Sequence, residues 1–341
     1  MSTIDKSIKK IDIPDTPNLP GVIYRRFRGA EDYPGMLAVI SASKTADRVE
    51  RTDTLEDITN SYSHLTNCDP FRDMVMIEHE GNLIGYTRME WRRESNPDRM
   101  VFSHFGFLHP EWRRNRIGTA ILHYNEAHLR KLSESFSRDV PFYFSVNADD
   151  HETGKITLFQ VEGYQPIRHF YKMVRPNLDD IPDVSLPEGI ELRPVTPEHY
   201  RQIWDEMQEA FRDHWGYAPE SDEDYSSWLS YSSFQPDLWQ IAWHGDRVVG
   251  TVLGFISEEE NKEYGVLRGY TEEITVHKEY RKRGIARALI ACCLRALKDR
   301  GMAEAALFVD TENLSGALRL YEGMGYRPVF RSTNFQKPFQ P

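Results

Sequence analysis

The 341-residue chain is poor in cysteine, has no long apolar run and carries no basic excess. Each absence closes off a class of protein. The three cysteines are Cys68, Cys292 and Cys293, two of them adjacent, so a disulfide framework is excluded and a reducing compartment is expected. No stretch approaches the ~18 apolar residues of a membrane-spanning helix. The opening residues, Met1-Ser-Thr-Ile-Asp-Lys, lack the apolar segment of a secretory signal. A cytoplasmic protein with no membrane partner is therefore expected. Neither Cys-x-x-Cys nor His-Glu-x-x-His occurs, so no metal is expected. Against 42 Lys and Arg stand 53 Asp and Glu, a formal charge of -11. That argues against nucleic acid as a partner, because phosphate neutralisation supplies most non-specific affinity.

What is present is a chain of ordinary composition, 40% hydrophobic and 28% charged, long enough for two cores. It repeats itself. His109-Pro-Glu-Trp-Arg-Arg-Asn-Arg-Ile-Gly-Thr-Ala120 reads against His277-Lys-Glu-Tyr-Arg-Lys-Arg-Gly-Ile-Ala-Arg-Ala288. Gly21-Val-Ile-Tyr-Arg25 reads against Gly189-Ile-Glu-Leu-Arg193, and Leu158-Phe-Gln-Val-Glu-Gly-Tyr164 against Leu320-Tyr-Glu-Gly-Met-Gly-Tyr326. Such matches, in the same order and about half a chain apart, indicate domain duplication. The proline-bearing stretch 177–188 reads as a linker, and residues 1–20 as a loosely held arm. The expected layout is an arm (1–20), a first domain (21–176), the linker (177–188) and a second domain (189–341).

The second half predicts a strand at 190–194, a helix at 200–211 and a hairpin from 238–243 to 247–255. A strand at 270–276, a helix at 284–300, a strand at 305–309, a helix at 316–324 and a strand at 329–335 follow. The pattern argues for an α/β (mixed α+β) fold, each domain a mixed, mostly antiparallel sheet flanked by helices. Cys292 and Cys293 are expected to pack in the core. The acidic stretch 257–263 is expected to be solvated, though it could attract a cationic amine.

The chemistry concentrates in Ile274-Thr-Val-His-Lys-Glu-Tyr-Arg281-Lys-Arg-Gly284-Ile-Ala286-Arg287. A strand ends, the chain turns, and a helix opens on small residues between arginines. The first N–H groups of a helix have no intrahelical partner, and its N-terminus favours anions. Gly284 and Ala286 leave room for a pyrophosphate. This stretch resembles the Q/R-x-x-G-x-G/A signature of the GCN5-related N-acetyltransferase (GNAT) superfamily. The run from Asn313 through Ala317 and Tyr321 to Gly325-Tyr326 resembles that family's second signature. The tandem arrangement resembles its two-domain members.

The resemblance implies two GNAT-type acyl-CoA N-acyltransferase domains with acetyl-CoA as co-substrate. The backbone of Ile274, Thr275 and Val276 would receive the acyl-pantetheine. Arg281, Lys282, Arg283, Gly284, Ile285, Ala286 and Arg287 would wrap the pyrophosphate, and Asn313 would contact the pantetheine arm. Tyr321 would protonate the departing thiolate. Glu272 is the base candidate, sharing a face with Ile274 and Val276 if no bulge intervenes. Relatives that place a glutamate two residues earlier have Tyr270 as the counterpart here. His214 and Trp215 are either acceptor contacts or an aromatic surface plug. In the first half Arg116 replaces Gly284 and Phe159 replaces Tyr321, so that half is expected to be catalytically degenerate. The implied activity is acetyl transfer from acetyl-CoA to a primary amine of a small molecule, in the C-terminal domain. A non-catalytic acyl-CoA sensor or a peptide or protein acetyltransferase are the alternatives. The chain would be a monomer, as an internal pseudo-dimer, or a homodimer.

Overall fold

The computed structural model describes residues 9–313 and 316–340. The chain divides into two compact units. Unit 1 comprises residues 1–93, 98–167 and 334–341; unit 2 comprises 94–97 and 168–333.

The first half of the chain runs β1 (Val22–Arg25), α1 (Tyr33–Asp47), α2 (Leu55–Ser63), α3 (Pro70–Asp73), β2 (Met74–His79), β3 (Asn82–Ser95) and β4 (Asp98–Leu108). It continues with α4 (Ile117–Ser133), β5 (Phe142–Asp149), α5 (Thr153–Val161) and β6 (Gln165–Arg175). The second half runs β7 (Glu191–Leu192), α6 (Tyr200–Phe211), α7 (Asp222–Leu229), β8 (Gln240–His244), β9 (Arg247–Phe255), α8 (Glu258–Tyr264) and β10 (Arg268–Val276). It ends with α9 (Ile285–Asp299), β11 (Glu304–Asp310), α10 (Ala317–Gly323) and β12 (Arg327–Phe339).

In unit 1 the strand order is β1-β2-β3-β4-β5 followed by the end of β12; in unit 2 it is β6-β11-β10-β9-β8-β7. The pairs β4–β5 and β10–β11 are parallel, whereas β9–β10, β8–β9, β6–β11 and β2–β3 are antiparallel. The halves trade strands along the chain. Unit 2 takes Arg168–Arg175 from the first half, and unit 1 takes the C-terminal residues 334–341.

In unit 2, α9 lies on one face of the sheet. Its Ile285, Leu289, Cys293 and Leu297, spaced four apart, are all buried against Val249, Val252, Leu307 and Val309. The helix approaches so closely that a Cβ on Gly254 would lie 2.7 Å from Cys293 Sγ. Burial also pushes the Cys293 thiol up, so it packs as a small apolar group. On a second core, Ile203, Trp204 and Met207 of α6 meet Trp239, Ile241, Trp243 and Leu253.

Three expectations need correction. Residues 9–20 are not a loose arm: Ile13 is 2% exposed, and Ile11 N–H donates to Tyr24 O at 2.9 Å. Residues 1–8 lie outside the described residues. The stretch 177–188 has no regular structure, yet Leu178 is 2% exposed in the core of unit 2. The acidic stretch after Ser257 is a helix, α8, capped by the Ser257 hydroxyl, which accepts from Glu260 N. Its Glu260 is not merely solvated but takes the Tyr270 hydroxyl at 2.5 Å and Arg268 at 3.3 Å.

Candidate active site

Parallel pairing of β10 with β11 is recorded for Arg268–Tyr270 against Glu304–Ala306. Both strands run on beyond that register, to Val276 and Asp310. They therefore part at Tyr270 and leave a gap whose edge on β10 is Glu272–Val276. On its other edge β10 bulges against β9: Glu272 pairs with Leu253 and Thr275 with Thr251, three steps against two. Glu273 occupies the extra position at φ 47°. The Thr251 hydroxyl holds the bulge by donating to Glu273 O at 2.6 Å, and it meets Thr275 Oγ1 at 2.8 Å.

The bulge breaks the simple alternation expected of Glu272, Ile274 and Val276. Glu272 nevertheless turns into the gap, where Oε1 accepts Phe308 N–H at 2.9 Å. Burial pushes its carboxyl well above the ordinary range, and Glu273 adds to the rise. Glu273 is exposed to solvent at the bulge, yet protein is dense around its carboxyl. That enclosure, and then the Glu220 carboxylate, raise it to about 7. Tyr321 of α10 is 6% exposed. Burial raises its phenol, and Glu272 and Glu273 raise it further, which puts all three groups in one electrostatic neighbourhood. Glu273, which the alternation argument passed over, thus stands beside Glu272 as a base candidate.

The turn after β10 is shaped for its role by backbone. His277 is 3% exposed and accepts from Glu279 N at 3.3 Å, closing the turn, whereas its repeat counterpart His109 makes no such cap. Lys282 and Gly284 both take positive φ, 61° and 86°. Gly284 is the N-cap of α9 and supplies no side-chain cap. A Cβ there would meet nothing within 4 Å, so the space above the helix start is open. Lys282, Arg283 and Arg287 are exposed around it, while Ile285 is buried and Ala286 half-buried. Arg283 also lies over the Tyr280 ring, 5.4 Å from its centre.

Arg281 departs from its expected place in the wrap. Its Nε donates to Val276 O at 3.1 Å, and its other nitrogens reach Ala210 O and Asp213 Oδ2 at 3.3 Å. It ties the end of α6 to the end of β10. Beside it lies a charged cavity of about 90 Å³ lined by Glu209, Arg212 and His277, too small for an acyl donor. Asn313 closes the turn before α10: its N–H donates to Asp310 O at 3.2 Å and its carbonyl accepts from Gly316 N at 3.3 Å. The motif residues Leu314 and Ser315 lie outside the described residues.

His214 and Trp215 follow α6 and are half-buried. The His214 ring meets Phe211 at 4.6 Å, and burial lowers its pKa. Arg168 lies 5.5 Å from the centre of the Trp215 ring and forms a bidentate pair with Asp310 at the end of β11. The loop therefore stands over the ends of β10 and β11.

Unit 1 keeps the backbone of this arrangement with other side chains. Arg114 and Arg116 adopt positive φ, 64° and 62°, where Lys282 and Gly284 do. Arg116 is the N-cap of α4, and Phe159 is buried where unit 2 has Tyr321. His104, at the place of Glu272 in the repeat, is buried with Tyr164 Oη at 2.9 Å, and burial depresses it to about 3.

Known proteins resemble this chain in sequence and in fold. Residues 201–326 match the Acetyltransferase (GNAT) family. The mycothiol acetyltransferase of Thermobispora bispora is 29% identical over 165 residues, covering 48% of this chain and 55% of that protein, so the chain spans about half the length of this relative. The GCN5-related N-acetyltransferase from Sphaerobacter thermophilus superposes with a TM-score of 0.70 at 25% identity, covering 95% of this chain and 97% of that one. A tandem GNAT protein from the clavulanic acid biosynthesis pathway gives 0.62 at 15% identity, with 94% and 98% covered. The second half of the chain is thus a GNAT acetyltransferase domain. The chain as a whole has the fold of a tandem GNAT protein.

Proposed function

We propose that the C-terminal half moves the acetyl group of acetyl-CoA directly to the primary amine of a small molecule. The observation that supports this best is the meeting, at one splayed gap, of a buried phenol and two raised carboxylates beside an open, uncapped helix start. The N–H groups after Gly284 would take the pyrophosphate, with Lys282, Arg283 and Arg287 adding charge. The acyl-pantetheine would lie along Ile274–Val276 as an added strand, the Val276 N–H facing the thioester oxygen. Only a neutral amine attacks, so its proton must first pass to a carboxylate. Glu273 suits this step: a value near 7 leaves it ionised in much of the protein above neutral pH. Glu272 carries the Phe308 hydrogen bond and rises further, so we assign it to shaping the gap. The amine lone pair then forms the C–N bond as the C–S bond breaks, and Tyr321 gives its proton to the departing thiolate. Its raised pKa keeps it protonated until then. Relatives named mycothiol acetyltransferases favour a small-molecule acceptor.

A thiol-release assay with acetyl-CoA and glucosamine, spermidine, phenethylamine and an aminoglycoside tests the reading. Turnover with at least one amine is expected. Acetyl-CoA binding with no turnover on any would indicate a sensor instead.

A further inference from the structure

Unit 2 contains four residues from far upstream, Glu94–Pro97, at the tip between β3 and β4. They lie against the loop that carries His214 and Trp215. Asn96 Nδ2 donates to Asp213 O at 2.7 Å, and Asn96 O accepts Gly216 N–H at 2.7 Å. Ser95 N–H donates to Tyr217 O at 2.8 Å, and Asn96 and Tyr217 form an antiparallel bridge. Glu94 is fully buried below Gly216, which sits at φ 76°; a Cβ on that glycine would stand 3.5 Å from the Glu94 carboxylate.

We infer that Glu94–Pro97 is a positioning element for the acceptor side of the site, with Asn96 the residue that sets the loop. This rests on the acetyl-transfer reading above. The loop from Asp213 to Tyr217 has no regular structure to stiffen it. Two moorings come from the cleft itself: Arg281 joins Asp213 to Val276 O at the end of β10, and Arg168 joins Trp215 to Asp310 at the end of β11. Those moorings hold its side chains. The backbone of the outer turn, Gly216 and Tyr217, is held by Ser95 and Asn96. The upstream tip therefore decides how far His214 and Trp215 lean over the mouth of the gap. It gives the first half of the chain a part in acceptor recognition that needs no chemistry of its own. In the second half α8 stands between β9 and β10, where the first half has this tip, so the repeat offers no counterpart. Asn96 is thus a positioning residue rather than a catalytic one.

The test uses the full chain with Asn96→Asp, which keeps the shape but turns a carboxylate oxygen toward Asp213 O. Gly216→Ala is the second variant, straining the same turn from the other side. Hydrogen exchange of the 213–217 amides should rise about tenfold in both, with α9 unchanged. With glucosamine, spermidine and phenethylamine as acceptors, the amine KM should rise at least about fivefold, while kcat and the acetyl-CoA-induced thermal shift stay within about twofold. Unchanged exchange in the loop overturns the inference, as does a kcat loss that matches the KM change. Wild-type protein that releases no thiol with any of the amines defeats the acetyl-transfer reading instead, and the exchange result then decides the positioning claim alone.

Discussion

Glu273 occupies the bulge because the backbone enters the left-handed region at that position and the Thr251 hydroxyl binds its carbonyl there. Nothing in the sequence marks that step. Period-two alternation is blind to an inserted residue, so the sequence points to Glu272 as a base candidate and passes over its neighbour Glu273. Gly284 was legible from a local rule, a glycine where a strand-to-helix turn takes positive φ, whereas Tyr321 was legible only through the resemblance of its run to the family's second signature. The raised Glu273 carboxylate has consequences of definite sign. As base it must be ionised, so kcat/KM should climb as pH rises through about 7, and Glu273→Gln should lower the rate and flatten that limb. Between the ordinary value of 4.5 and about 7 the unfolded chain releases a proton that the folded protein keeps. Stability contributed at low pH is therefore lost as pH rises through the folded value. Glu273→Gln should raise Tm more at pH ~8 than at pH ~5. A pH–rate limb unchanged in this variant would remove Glu273 from the chemistry.

At the scale of elements, the long periodic segments were the readable ones. The α6 range 200–211 and the β9 range 247–255 agree with the expectation residue for residue. The face of α6 meets a core on one side, which helical periodicity reports, whereas β9 is buried on both faces and reads as a continuous apolar run between turn signals. The helix α8 was missed because its glutamates read as a solvated run. Its start and stop were nonetheless present, Ser257 as N-cap and Gly265 in the left-handed region. The start of α9 makes a direct prediction. Arg116 shows that this turn accepts an arginine at positive φ. Gly284→Arg should therefore fold, with a stability loss of about 1–2 kcal/mol. It should abolish the acetyl-CoA-induced rise in Tm, because the new side chain fills the open space above the helix. A thermal shift equal to wild type would place the donor elsewhere.

For the whole molecule, duplication was legible and strand exchange was not. Repeated motifs record ancestry, whereas the trade of Arg168–Arg175 and residues 334–341 depends on which edge each strand finds. Strand β6 pairs with β11 from Ala305 to Asp310, and Met173 is fully buried in the core of unit 2. A fragment of residues 189–341 lacks that strand. It should show no cooperative thermal transition in a circular-dichroism melt; a sharp transition near that of the full chain would show that the exchange is dispensable.

We place the reaction in the second half and make it depend on the Tyr321 phenol. Steady-state turnover of Tyr321→Phe, with acetyl-CoA binding measured alongside, tests it most directly. The substitution makes the second half resemble the first, where Phe159 already stands. The phenol matters only as charge develops on sulfur, so kcat should fall roughly 10²–10⁴-fold while acetyl-CoA affinity stays within about twofold. Phe159→Tyr, assayed in parallel, should leave turnover unchanged. Wild-type turnover in Tyr321→Phe would move the active centre out of the C-terminal gap.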